Sequence, residues 1–192
     1  MSTPNRAEAA RAIELFLRSI GREPTKDPNL AETGARVADA YIDEICDGYS
    51  VDVAELMASN AMPGKSELVV VRDVSVTTMC PHHLMPATGK AAIAFAPAGT
   101  LVGLGALVKL IDAFAHRLTL QEEIGESVVA AIAKHLKPQW AGCRLVLEHA
   151  CVVARGERRH GARAETIALT AGSRAIDDAT RAIALRALGA GT

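Results

Sequence analysis

The sequence predicts an α+β fold, an antiparallel sheet with helices on one face. Apolar residues recur at helical spacing in five stretches, and β-branched or alternating runs occur in four others. Along the chain they follow one another as helices, strand pair, helix pair, strand pair, helix, an order that suits a sheet covered by helices. No internal repeat, low-complexity tract or long linker interrupts them. With 192 residues, 49% of them hydrophobic, the chain can bury one sizeable core and is too short for two ordinary domains. The reading divides it into an N-terminal helical region, 1–50, and a main domain, 51–192.

The first helix is expected over residues 6–20. Ala9, Ala12, Ile13, Phe16, Leu17 and Ile20 recur on one face, and Gly21 follows as a stop. After the turn-rich REPTKDPN segment, Val37, Ala40, Tyr41 and Ile45 mark a second helix over 31–47, with Arg36, Asp39, Asp43 and Glu44 on its polar face. Residues 68–78 (LVVVRDVSVTT) and 90–96 (KAAIAFA) read as strands flanking a polar loop, CPHHLMPATG. Residues 107–118 and 122–136 read as helices. The second begins with acidic residues and ends near Lys134 and His135, as the helix dipole prefers. Strands are expected over 143–153 and 165–169, joined by an Arg- and Gly-rich connection, and a helix over 175–188 closes the chain.

Composition narrows the function. A net charge of −1 supplies no long-range positive field, so binding along nucleic acid or at an anionic membrane is not expected. Aromatic residues are only 3%, too few for a base-stacking platform. No apolar run reaches bilayer length, and the N-terminus lacks the pattern of a signal peptide, so a soluble, cytoplasmic protein is expected. In that compartment Cys46, Cys80, Cys143 and Cys151 are expected as thiols or metal ligands rather than disulfides.

The chemistry concentrates in two places. Cys80-Pro81-His82-His83 puts a thiolate and two imidazoles in one short loop, donors that suit Zn²⁺. A third ligand must come from elsewhere, and Cys151 stands in His149-Ala150-Cys151. Residues two apart on a strand share a face, so His149 and Cys151 are expected to point the same way, into the pocket of the first loop. Three protein ligands would leave a fourth position open for catalysis. Two plainer readings stand beside this one: Cys80 and Cys151 as ordinary buried small side chains, or a closed structural zinc with His82 or His149 as fourth ligand. Gln121-Glu122 opens a helix, where backbone N–H groups and a carboxylate can meet a polar heterocycle, although a first-turn Glu commonly serves only the dipole. Arg155, Arg158, Arg159 and Arg163 form a basic run just beyond Cys151, with Arg155 a candidate anion anchor.

Several segments in order, DPNLAETGARVADAYIDEICDGY, VRDVSVTTMCPHHLMPATGKAAIAFAP, VGL, FAHRLTLQEEI and EHACVVARG, resemble the GTP cyclohydrolase I family over most of the chain. The resemblance implies a tunnelling fold, in which sheets from several subunits close into an oligomeric barrel, with active sites between subunits of a homo-oligomer, a decamer or other ring. It implies Cys80, His83 and Cys151 as zinc ligands, His82 and His149 as catalytic histidines, and Gln121 and Glu122 as the guanine-recognising pair. It implies hydrolytic opening of the purine imidazole ring, loss of formate and, for GTP, reclosure to 7,8-dihydroneopterin triphosphate. The departures cluster where ribose and triphosphate would lie. Gly105-Ala106 replaces a common Ser-Lys, Asp39 a lysine, Lys109 an arginine and Pro81 a glutamate, and ERRHGARAETIALTAG replaces a Ser/Thr-rich strand. Each lost charge-assisted hydrogen bond costs on the order of 1.5–3 kcal/mol. With Arg155 and Lys109 as further substrate-binding candidates, three readings follow: an orthodox GTP cyclohydrolase I whose phosphate site is rebuilt with the arginines of 155–163, a paralogue acting on a purine or related heterocycle without triphosphate, and a non-catalytic zinc-containing binding assembly.

Overall fold

The structure is a computed structural model and describes residues 3–172 and 175–190, so the outermost residues of both predicted regions lie outside the described residues. The chain divides into two compact units, residues 1–47 and 48–192.

In the smaller unit, α1 (Arg6–Ser19) is capped by Asn5, whose side chain accepts from the Glu8 N–H, and packs on α2 (Thr33–Ala40). The two backbones approach closely: a Cβ on Gly34 would lie 2.7 Å from the Ala10 carbonyl oxygen. Only part of the predicted α1 stripe is covered, since Phe16 and Ile20 remain exposed. The predicted second helix changes character at Tyr41, where a π-type turn, Tyr41–Ile45, closes with the Cys46 N–H on the Tyr41 carbonyl. Asp39 is ion-paired with Arg6, which also makes a fork to Asp43, and Arg36 pairs with Glu32, so these charges are engaged inside this unit.

The larger unit is built on an antiparallel sheet in the order β2-β3-β5-β6, from β2 (Val69–Cys80), β3 (Met85–Ala96), β5 (Trp140–His149) and β6 (Ala164–Thr170). A small pair, β1 (Ala61–Pro63) with β4 (Thr100–Val102), lies beside it in sequence. All six residues of 91–96 are buried, because both faces of β3 are covered. Ala91, Ile93 and Phe95 face α4 (Leu104–Ala115) and α5 (Gln121–Leu136), together with Met57 of α3 (Val53–Asn60). Ala92, Ala94 and Ala96 face α7 (Asp178–Ala187) through Ala184, Ala187 and Leu188. The α4–α5 layer is thus the expected helical face, and α7 adds a smaller layer on the opposite face. Arg72 Nε and Nη2 donate to the Ala187 carbonyl at 3.0 and 2.7 Å, satisfying the end of α7 that has no helical partner.

The predicted strand over 143–153 is corrected. β5 ends at His149, and residues 150–153 form a short helix, α6 (Ala150–Val153). β6 offers no partner past Leu147, and β3 none beyond His149. The backbone therefore turns and satisfies itself, with the Ala154 N–H on the Ala150 carbonyl at 2.9 Å. α3, β1 and β4 were not expected. For α3 the signal was present in Asp52-Val-Ala-Glu55, whose Asp52 side chain caps the Glu55 N–H at 3.0 Å.

Candidate active site and metal centre

The hairpin β2–β3 turns at residues 81–84, with the Leu84 N–H on the Cys80 carbonyl at 2.9 Å and Leu84 itself in the left-handed region at φ 50°. Cys80 and Met85 are the last paired residues of that hairpin, and two residues on, Ala87 pairs with His149 at the end of β5. The strand ladder therefore carries the hairpin tip, His149 and α6 to one end of the sheet, where α5 also begins. There a cavity of about 310 Å³ is lined by Cys80, His82, His83, Gln121, Glu122, His149 and Cys151. Seven of the nine site residues expected from sequence converge on it. Lys109, exposed on α4, and Arg155, just beyond α6, are not among its lining residues.

One ligand atom each from Cys80, His83 and Cys151 lies within 4.8 Å of the others. A tetrahedral zinc with bonds of roughly 2.0–2.3 Å sets its ligand atoms roughly 3.3–3.8 Å apart, so small side-chain rotations bring this group to a metal geometry. The electrostatics agree. Burial first, and the neighbouring Cys80 sulfur second, raise the Cys151 thiol above its ordinary value, with Arg155 pulling weakly the other way. Two thiolates side by side repel unless a cation sits between them, and two sulfurs with an imidazole are soft to borderline donors. The residues present fit a zinc-type ion. His82 Nδ1 and His83 Nδ1 both lie 3.8 Å from Cys80 Sγ, with the two rings edge to face. His149 and Cys151 share the pocket because the chain turns after β5, not because strand alternation aligns them.

The start of α5 is divided between two acids. Glu123 reaches back: its Oε2 accepts from the Leu120 N–H at 3.2 Å and the Thr119 hydroxyl at 2.9 Å. That leaves Glu122 out of the cap, exposed and lining the cavity. Gln121 is different in kind. Only 3% exposed, it donates from Nε2 to the carbonyls of Leu145 and Ala164 and to Thr166 Oγ1, and its Oε1 meets His149 Nε2 at 2.8 Å.

Thr78 also lines the cavity and was not singled out from sequence, although it stands two residues before Cys80 on β2 and so shares its face. Its hydroxyl is buried with no protein partner. An unpaired buried hydroxyl costs about 1–3 kcal/mol, so Thr78→Val is expected to raise unfolding stability by about 1 kcal/mol in urea titration. A drop in stability would show that the hydroxyl has a partner in solution.

A GTP cyclohydrolase I family model matches residues 9–188. The chain belongs to the GTP cyclohydrolase I family. Among the family's curated members, it is 33% identical over 171 residues to the GTP cyclohydrolase 1 of Allorhizobium ampelinum, covering 88% of this chain and 84% of that one. It is 35% identical over 169 residues to those of Brucella abortus and Brucella melitensis, covering 87% of this chain and 78% of theirs. Among solved structures, it is similar to the archaeosine synthase QueF-Like in the apo form, with a TM-score of 0.46, 15% identity, and coverage of 58% of this chain and 100% of that chain.

Two of the family departures noted above have clear local settings. At Gly105, in the first turn of α4, an added Cβ would meet nothing within 4 Å, so the position is open. Ala106 is 4% exposed and belongs to the core under α4. Among the described residues no ion pair engages Arg155, Arg158, Arg159 or Arg163, all of them exposed. No helix among the described residues is long and apolar enough to cross a membrane.

Proposed function

We propose that this protein is a zinc-dependent cyclohydrolase that opens the imidazole ring of a guanine-type purine by hydrolysis, with GTP as its substrate. The observation that carries the reading is the convergence of Cys80, His83 and Cys151 in a cavity that also holds His82, His149 and the uncapped carboxylate of Glu122. Zinc held by the two cysteines and His83 would supply Lewis acidity, making water a competent nucleophile near neutral pH. Glu122 can accept from N1–H and the exocyclic amine on the pyrimidine edge of guanine, two donors for two carboxylate oxygens. Hydration of C8 requires one proton removed from water and one delivered to N7 before the C8–N9 bond breaks, and His82 and His149, both lining the cavity, would move them. A second hydrolysis then releases formate.

At about 310 Å³ the cavity is at the lower end of small-ligand pockets, enough for a purine base, so ribose and phosphates would extend beyond it. The unpaired arginines of the 155–163 loop are the groups in this unit best suited to a triphosphate, and they favour GTP. The opening at Gly105, without hydroxyl or cation, favours a second reading: a purine lacking triphosphate. The four-stranded sheet leaves β2 and β6 as edges, which supports a homo-oligomeric ring of the tunnelling type, with residues 1–50 as a helical region attached to the catalytic domain. A cytoplasmic setting, which keeps cysteines reduced, would leave Cys80 and Cys151 available as metal ligands.

Mass spectrometry of the zinc-loaded protein incubated with GTP, guanosine or guanine tests this. Formate and 7,8-dihydroneopterin triphosphate from GTP are expected. Ring opening of guanosine alone establishes the second reading, and no product from any of the three sinks both.

A further inference from the structure

Gln121 is the first residue of α5 and one of the most buried polar side chains, and every polar atom of its amide is used inside the protein. The orientation of that amide is dictated by its neighbours. Two of the three groups facing Nε2 are the backbone carbonyls of Leu145 and Ala164, at 3.2 and 3.1 Å, which can only accept. Turning the amide over would set Oε1 against both oxygens, so nitrogen must face them and oxygen must face His149. Oε1 in turn can only accept. The 2.8 Å contact therefore requires a hydrogen on His149 Nε2, and in the neutral ring this leaves the lone pair on Nδ1.

We propose that Gln121 is a positioning residue for His149: it holds the imidazole in one orientation as the Nε2–H tautomer, with the lone pair on Nδ1, and it does not read the purine. The inference rests on the proposed role of His149 in proton transfer. It divides the Gln121-Glu122 pair by function. Glu122 is exposed and lines the cavity, while Gln121 is anchored to β5 and β6 through Leu145, Ala164 and Thr166 and transmits that rigidity to the ring. A side chain that already satisfies four protein partners would have to break the His149 contact to bind a base.

The test has two arms. In metal-loaded wild-type protein, long-range proton–nitrogen NMR of the His149 ring, assigned by the signals lost in His149→Asn and recorded above the titration range of histidine, is expected to show hydrogen on Nε2 and an unprotonated Nδ1. Hydrogen on Nδ1 overturns the proposal, whether or not the protein turns over a purine, so this arm stands apart from the proposed function. In the second arm, Gln121→Leu keeps the volume and removes the acceptor. It is expected to lower kcat about 10–100-fold, with KM for GTP within about threefold and zinc content unchanged. A large rise in KM with kcat held makes Gln121 a purine reader, and unchanged values of both remove any role. Either overturns the proposal. Should the leucine variant fail to fold, the wild-type ring spectrum decides alone.

Discussion

Cys151→Ala is expected to abolish metal retention and lower turnover by ~10³-fold or more, because Lewis-acid stabilisation contributes several kcal/mol and each ~1.4 kcal/mol is a factor of ten. The reasoning starts from the site. Three protein atoms would hold the ion, and two of the three are sulfurs, of which Cys151 is held above its ordinary value by burial and by the neighbouring Cys80. Removing one leaves Cys80 and His83 on a hairpin turn, a pair too weak to keep zinc against a chelator. The fold itself should persist. Cys151 is only half-buried, on the four-residue α6, outside both hydrophobic clusters, and alanine is a good helix former. Cys143 provides the internal control. It is fully buried in β5, its thiol pushed up to about 12 by burial, and Cys143→Ala should cost stability while leaving metal content intact. Metal analysis by plasma emission after dialysis against a mild chelator, paired with urea unfolding, reads both outcomes. Full metal occupancy in Cys151→Ala would mean that His82 or His149 completes the site in place of the cysteine, and the assignment of ligands would fall.

Much of this site was legible in the sequence because its parts are local. Cys80, His82 and His83 lie within four residues, Gln121 and Glu122 are adjacent, and His149 and Cys151 are two apart; any fold that brought three short segments together would bring all seven. The β-branched runs made the sheet legible for the same reason, since period and composition are local signals. What was not legible depended on neighbours. Whether residues 150–153 continue a strand is decided by what lies beside them, and β6 ends its pairing at Leu147. That the two faces of β3 are both covered was invisible in KAAIAFA until α7 was seen on the far side. The division of labour between Glu122 and Glu123, and the burial of Gln121, depend on which way α5 is rotated when it docks. A first-turn carboxylate looks the same in sequence whether it caps a helix or faces a ligand.

Gly89→Ala is expected to destabilise the larger unit by about 3 kcal/mol or more, one of the largest effects available outside the metal site. Gly89 stands in β3, paired with Val76 on one side and Leu147 on the other. An added Cβ would overlap the Val146 carbonyl oxygen and lie 3.0 Å from the Leu147 Cα. Both are backbone atoms of a central strand, so no rotamer change relieves the clash, and the ladder between β3 and β5 must open locally. That ladder runs two residues further to Ala87 opposite His149, so the damage reaches the site. The variant should therefore show a lowered unfolding midpoint and, in whatever folded fraction remains, weakened metal retention. Gly105→Ala makes the same chemical change where nothing lies within 4 Å, in the first turn of α4. There the lost backbone freedom acts mainly on the unfolded chain, and a gain of about 0.5–1 kcal/mol is expected. Thermal and urea unfolding of the two variants beside wild type measures the contrast. Equal stability of all three would show that β3 and β5 are not as close as the structure has them, and with that the route by which His149 reaches the Cys80 hairpin would lose its support.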